Sequence, residues 1–300
     1  MNSEKFRGVL TKDINNADII LTGYPLDKNA SIGKGASLAP DHIRELSVMV
    51  PVLSKDGYLI DKVKLYDNLN IDVSNFELMQ KETLNLYKTN KFNIFLGGDH
   101  SISIATERAF IDYAKSIKKT PVVIHIDAHP DICDVYEDNM YSHACPNKRS
   151  LDYGLKDENL IILGVRGFEE QEVNYFKLHP LIDVFKASDI NSLGVNRLLS
   201  YIYSKYDKDE YVVHISYDID ANDPCFAPGT GTPEPFGLNN IDVINLITGL
   251  VSKLNVISLD LVEISPKLDV NDITSYLGIK SLYEIIYTLQ VKKYGMAWFI

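Results

Sequence analysis

Asp127-Ala128-His129-Pro130-Asp131 follows the apolar run Pro121 to Ile126 and spaces three metal-binding side chains two residues apart. In extended chain, alternate side chains share a face, so all three can converge on one point. Asp218-Ile219-Asp220 repeats that spacing after Tyr211 to Tyr217, and Gly97-Gly98-Asp99-His100 follows Phe92 to Leu96. If these runs are adjacent strands, His100, Asp127, His129, Asp131, Asp218 and Asp220 meet at one edge of a sheet. Carboxylates that close raise one another's pKa and stay ionised only around cations. The four negative charges of Asp127, Asp131, Asp218 and Asp220 balance two divalent ions. Oxygen donors with two imidazoles suit Mn²⁺, whereas zinc favours more nitrogen or sulfur.

Each fragment alone has a plainer reading. An isolated Asp-x-Asp at a strand end caps a turn or a helix. His125, between Ile124 and Ile126, reads as a packed histidine or one standing behind the ligands, and His42, His179 and His214 take the same default. Agreement among three separate strand-end motifs is what favours a metal centre.

The elements that would position these residues are short and rich in β-branched residues: Asp18 to Thr22, Phe92 to Leu96, Pro121 to Ile126, Leu160 to Val165, Tyr211 to Tyr217 and Val256 to Leu261. Nearly continuous hydrophobicity over so few residues predicts strands buried on both faces, the habit of parallel sheets. Helical spacing lies between them, as in Ser101 to Lys118 and Asn239 to Lys253. No repeat or Pro/Gly linker divides the chain, so residues 1–300 read as one α/β domain. Polar loops follow the strand ends, where open α/β sheets place their ligands.

Composition narrows the function. The 300 residues are 45% apolar and 24% charged, with a net charge of −11, which excludes disorder and disfavours nucleic acid as a partner. Cys133, Cys145 and Cys225 form no CxxC pair, which fits a reducing compartment and excludes a cysteine zinc framework. Met1 to Asn16 is polar, without a signal-peptide core, and no apolar run approaches the roughly 18 residues of a membrane span. A cytoplasmic protein with no membrane partner is expected.

Gly97-Gly98-Asp99-His100-Ser101, Asp127-Ala128-His129-Pro130-Asp131, Ser142-His143-Ala144 and Ser216-Tyr217-Asp218-Ile219-Asp220 together resemble the signatures of the ureohydrolases. That family holds arginases, agmatinases, guanidinobutyrases and formimidoylglutamases. The resemblance runs from Gly23-Tyr24-Pro25-Leu26-Asp27, Ala39-Pro40 and Ile43-Arg44 to Asp260-Leu261-Val262-Glu263 and Pro266. It implies a three-layer α/β/α fold around a mainly parallel eight-stranded sheet, two Mn²⁺ per chain and a homo-oligomer, trimeric or hexameric. One ion would be held by His100, Asp127, Asp131 and Asp218, the other by Asp127, His129, Asp218 and Asp220. Water on such a centre has its pKa lowered to about 7, which makes a hydroxide nucleophile available. Glu263 occupies the position of the carboxylate that grips the substrate guanidinium, and His143 that of a proton shuttle to the departing amine. Cys145 reads as a small packing residue.

The substrate is then a small guanidino compound. Cys133 stands where arginases typically place an asparagine, while Ala227 to Glu234 and Tyr141 to Pro146 resemble the agmatinase branch. Agmatine carries an ammonium, for which Asp134, Glu137 and Asp138 offer anionic partners on a loop expected to flank the pocket. Other ureohydrolase activities remain alternatives, as does an inactive metal-binding or assembly relative, although that would predict lost ligands and all six are present. A dinuclear metallophosphoesterase lacks its Gly-Asn-His element here. Ile32-Gly33-Lys34-Gly35 departs from the Arg-Pro-Gly that many relatives carry, near the substrate entrance or a subunit contact.

Overall fold

The computed structural model describes residues 5–295, so the first four residues of the polar N-terminal segment and the ends of the expected 1–300 unit lie outside the described residues. Nine strands form one sheet: β1 (Val9–Leu10), β2 (Ile19–Tyr24), β3 (Lys64–Asn70), β4 (Phe92–Gly97), β5 (Thr120–Ile126), β6 (Leu160–Val165), β7 (Asp183–Lys186), β8 (Tyr211–Asp218) and β9 (Val256–Val262). Among the described residues nine α-helices accompany them: α1 (Ala39–Ser47), α2 (Phe76–Tyr87), α3 (Ser103–Ser116), α4 (Pro146–Asp152), α5 (Glu170–Leu178), α6 (Ala187–Leu193), α7 (Val195–Tyr206), α8 (Asn240–Lys253) and α9 (Ile273–Tyr294). The strand order is β1-β3-β2-β4-β9-β8-β5-β6-β7, and every pairing is parallel.

Strand residues alternate between two apolar clusters, which is what a sheet covered on both faces requires. On β2, Ile19 and Leu21 join one cluster and Ile20 and Tyr24 the other; on β6, Ile161 and Leu163 face away from Leu160 and Ile162. Helices α1, α7, α8 and α9 pack on the first face, and α2 and α3 on the second. The three-layer α/β/α arrangement is as expected, with nine strands where eight were. The additional pair is a two-residue edge contact, Val9 opposite Lys64 and Leu10 opposite Leu65. Among the described residues no helix is long and apolar enough to cross a membrane.

A buried ion pair fastens α1 to β3. Arg44, on α1, donates from Nε and Nη2 to the Asp67 carboxylate at 3.0 Å each, and Asp67 also accepts the Phe6 N–H at 2.8 Å. Removing one partner strands the other's charge in the interior, which costs about 3–5 kcal/mol. Arg44→Met is therefore expected to lower Tm by roughly 10 °C in a thermal melt. Arg44→Met combined with Asp67→Leu should recover much of that loss.

The order of the sheet places the site. Strands β4, β9, β8 and β5 are its four central members, and the chain jumps from β4 to β5 across the other two before extending to the far edge. The reversal opens a crevice at the carboxyl ends of those strands.

Candidate metal centre

Each central strand ends in a tight turn that aims a side chain into this crevice. Asp127 and Asp218 divide their two oxygens between turn and crevice: Oδ1 accepts the N–H two residues on, His129 at 2.6 Å and Asp220 at 2.8 Å, while Oδ2 points inward. Capping thus leaves one oxygen of each carboxylate directed into the crevice. Asp131 and Glu263 have left-handed backbones, φ 49° and 62°. That conformation costs a non-glycine residue roughly 1–2 kcal/mol, and here it turns their carboxylates back over the strand ends.

All six expected donors meet. His100 Nδ1 lies 3.0 Å from Oδ2 of Asp127, of Asp131 and of Asp218 alike. His129 Nδ1 lies 3.2 Å from Asp220 Oδ2 and 3.5 Å from Asp127 Oδ1. The other face of His100 is occupied: Nε2 meets Ser216 Oγ at 2.8 Å, and Ser216 Oγ donates to Asp260 Oδ1 at 2.7 Å. That chain places the ring proton on Nε2 and leaves the Nδ1 lone pair facing three carboxylates.

His100 Nδ1 and Asp127 Oδ2 are buried without a hydrogen-bond partner. Acceptors converging on acceptors require a cation, and the donor set fits a hard or borderline divalent ion. The proton affinities agree. Burial and then the charges of Asp220 and Asp127 push the Asp218 carboxyl well above its ordinary range. At Asp127 burial acts upward, but the neighbouring His125, with His100 and His129 beside it, holds it well below.

His125 is nearer the centre than its apolar neighbours suggested. Its ring stacks on His100 at 4.7 Å, and Nε2 stands 3.0 Å from Asp127 Oδ2, so it joins His100, Asp127 and Asp131 in one group of possible ligands. The other three histidines are paired outside the crevice: His214 with Asp260, His42 with Asp272 and His179 with Asp157. Cys133 and Cys145 are buried, and burial pushes the Cys145 thiol up to about 12.

Glu263 Oε1 accepts the His100 N–H at 2.8 Å and lies 3.3 Å from His143 Nδ1. On the far side of the ring, His143 Nε2 faces Ser31 Oγ at 3.0 Å. Burial works against a charged imidazole, but the Glu263 hydrogen bond and charge, with Asp131 and Asp99 beyond, lift His143 up to about 9.

A cavity of about 300 Å³ opens onto this centre and exposes His129, Asp131, Asp218 and His143 at its floor. Its walls bring in Tyr136, Phe168, Glu169, Glu172, Thr232 and Glu234. Asp134, Glu137 and Asp138 do not reach it, contrary to expectation. Asp134 pairs with Arg149, and a turn closed between Tyr136 and Asn139 holds Glu137 and Asp138 at φ 49° and 58°, facing solvent. The cavity's own acids were not singled out in the sequence, because Glu169 and Glu172 read there as part of a polar loop after a strand end. They do form a capping box on α5, and burial raises Glu172 to about 7. The Ile32 to Gly35 segment forms part of the rim. A Cβ at Gly33 would lie 2.4 Å from Gly231 Cα, and φ there is 67°, so this edge depends on glycine.

A profile of the arginase family matches residues 17–287. The chain belongs to the arginase family. Proclavaminate amidinohydrolase of Streptomyces clavuligerus is 30% identical over 281 residues, covering 90% of this chain and 87% of its own. Mitochondrial agmatinase of Gallus gallus is 30% identical over 289 residues, covering 91% and 81%. The crystal structure of the agmatine ureohydrolase of Thermoplasma volcanium superposes with a TM-score of 0.85 at 29% identity, covering 98% of this chain and 96% of that one. This arginase-family protein is accordingly a ureohydrolase, acting on guanidino C–N bonds.

Proposed function

We propose that the protein is a Mn²⁺-dependent agmatinase, hydrolysing agmatine to putrescine and urea. The observation that carries the choice of substrate is the charge of the cavity. Glu169, Glu172 and Glu234 stand along its walls, and no lysine or arginine is among the described residues that line it. A cationic tail gains from such walls, whereas the carboxylate of arginine or guanidinobutyrate would meet like charge along them and no lysine or arginine to pair with. The same lack disfavours a phosphate ester.

His100, Asp127, Asp131 and Asp218 would hold one ion, and Asp127, His129, Asp218 and Asp220 the other. The ion pair supplies Lewis acidity and activates water at neutral pH. The chain's own groups do the rest. Glu263 orients the planar guanidinium through charge-assisted hydrogen bonds. His143, raised to about 9 and therefore protonated at neutral pH, delivers a proton to the departing amine, with Glu263 on Nδ1 and Ser31 on Nε2 setting the ring plane. The trimer or hexamer and the cytoplasmic location implied by the sequence belong to the same reading.

Urea release from agmatine, arginine, guanidinobutyrate and guanidine, with formamide release from formimidoylglutamate, tests the substrate. Agmatine is expected to exceed the carboxylate-bearing compounds in kcat/KM by at least about 100-fold, the discrimination that unpaired buried charge imposes. Equal or better turnover of a carboxylate compound would sink the agmatinase assignment and leave the hydrolase class standing. His143→Asn should lower kcat by about 10²-fold with KM little changed, and an unaltered kcat would remove the shuttle.

A further inference from the structure

Arg166 directly follows β6 and is half-buried beside the metal centre. The hydrogen bonds of its side chain all go to main-chain oxygens. Nη2 donates to Asp220 O at 2.7 Å, Glu234 O at 2.8 Å and Asn222 O at 3.2 Å; Nε donates to Glu234 O and Pro235 O at 3.1 Å; Nη1 donates to Gly164 O at 3.2 Å and Ala221 O at 3.3 Å. Five N–H groups in one rigid plane therefore hold six carbonyls. Its backbone adds another tie, since the N–H groups of Arg166 and Gly167 both reach Ala128 O, at 2.8 and 3.0 Å.

Those contacts bracket one histidine. His129 follows Ala128, its Nδ1 faces Asp220 at 3.2 Å, and its Nε2 faces Glu234 Oε1 at 3.8 Å. Gly167 lets the chain lie flush against the ring, for a Cβ there would be 2.6 Å from His129 Cδ2. His100 is supported separately, by Ser216 and by Glu263.

We propose that Arg166 is a positioning residue that holds the Asp127, His129 and Asp220 metal subsite in register with the Thr232 to Glu234 wall of the substrate cavity. The proposal rests on the metal-centre reading above for its metal half only. It predicts a loss concentrated on one of two ions, because the clamp touches Asp220 and Glu234, two of the three groups that face His129, and neither support of His100.

The test uses Arg166→Lys and Arg166→Ala in the full chain. Lysine keeps the charge but can reach at most three oxygens from a single point, so it cannot replace the fork. Mn²⁺ titration of metal-free protein, followed by electron paramagnetic resonance, should show one site weakened about 10–100-fold and the other changed by less than about threefold. Hydrogen exchange needs no metal. The amides of Asn222, Asp223 and Leu238, bonded to Ile219, Leu238 and Ala221 carbonyls within the clamped loop, should exchange at least about tenfold faster in both variants. Amides of β4 and β9 should not change. Equal weakening of both Mn²⁺ sites, unchanged affinities or unchanged exchange in the loop would each overturn the proposal. An unsubstituted protein that binds fewer than two ions would overturn its metal half and the metal-centre reading, while the exchange result still decides whether Arg166 clamps the loop. Should Arg166→Ala prove insoluble, the lysine variant alone carries both measurements.

Discussion

Alanine in place of Asp127 or Asp218 is expected to lower kcat/KM by at least about 1,000-fold, some 4 kcal/mol of transition-state stabilisation, with metal content falling below one ion per chain. Both carboxylates set Oδ2 3.0 Å from His100 Nδ1, and Asp127 also turns Oδ1 toward His129. Losing either removes a carboxylate that would serve in both ligand sets. The fold should survive, because β5 and β8 are anchored by apolar residues such as Ile124, Ile126, Val213 and Ile215. Each variant also removes one of several like charges, so the metal-free form should melt within a few degrees of the parent. Metal analysis, circular dichroism and urea assay together check this; full turnover with two bound ions in either variant would remove the shared-ligand assignment.

The second large effect is expected of Glu263→Gln. Glutamine keeps an acceptor for the His100 N–H, which Glu263 Oε1 receives at 2.8 Å, but lacks the charge opposite the substrate and opposite His143 at 3.3 Å. A charge-assisted hydrogen bond is worth about 1.5–3 kcal/mol, so kcat/KM should fall by roughly 10–100-fold with two ions still bound. The pH profile should move as well. Glu263 is the chief group raising His143 to about 9, and without it the imidazole loses its proton at lower pH. Activity that depends on protonated His143 would then decline from a lower pH as the solution is made alkaline. An unchanged kcat/KM with an unchanged profile would refute both roles of Glu263.

How much of this was legible in the sequence depended on burial. The central strands declared themselves through runs such as Ile94-Phe95-Leu96, where both faces are covered. Strands β3 and β7 did not: the buried ion pair of Asp67 with Arg44 puts a charge into the β3 run, and β7, at the sheet edge, begins on Asp183 and ends on Lys186. Predicted helix ends were close: Asn239 caps α8 by accepting the Asp242 N–H, and Ser101 falls in a short 3-10 turn just before α3. The departures at the site share a cause. Arg166 and Glu234 act through neighbours distant in sequence, and Asp134 is drawn away by Arg149.

The sequence by itself determined which donor side chains are available and how they are spaced. Asp127, His129 and Asp131 recur two apart directly after an apolar run, but β5 ends at Ile126 and Asp131 is left-handed, so the turn, not continued strand alternation, brings their side chains together. Tertiary structure alone decided which strand ends became neighbours, which carboxylates lined the cavity and which turned to solvent. Those outcomes depend on strand order and on hydrogen bonds between residues far apart in the chain, from Ala128 to Arg166 and from Arg166 to Glu234. Local spacing contains no term for either.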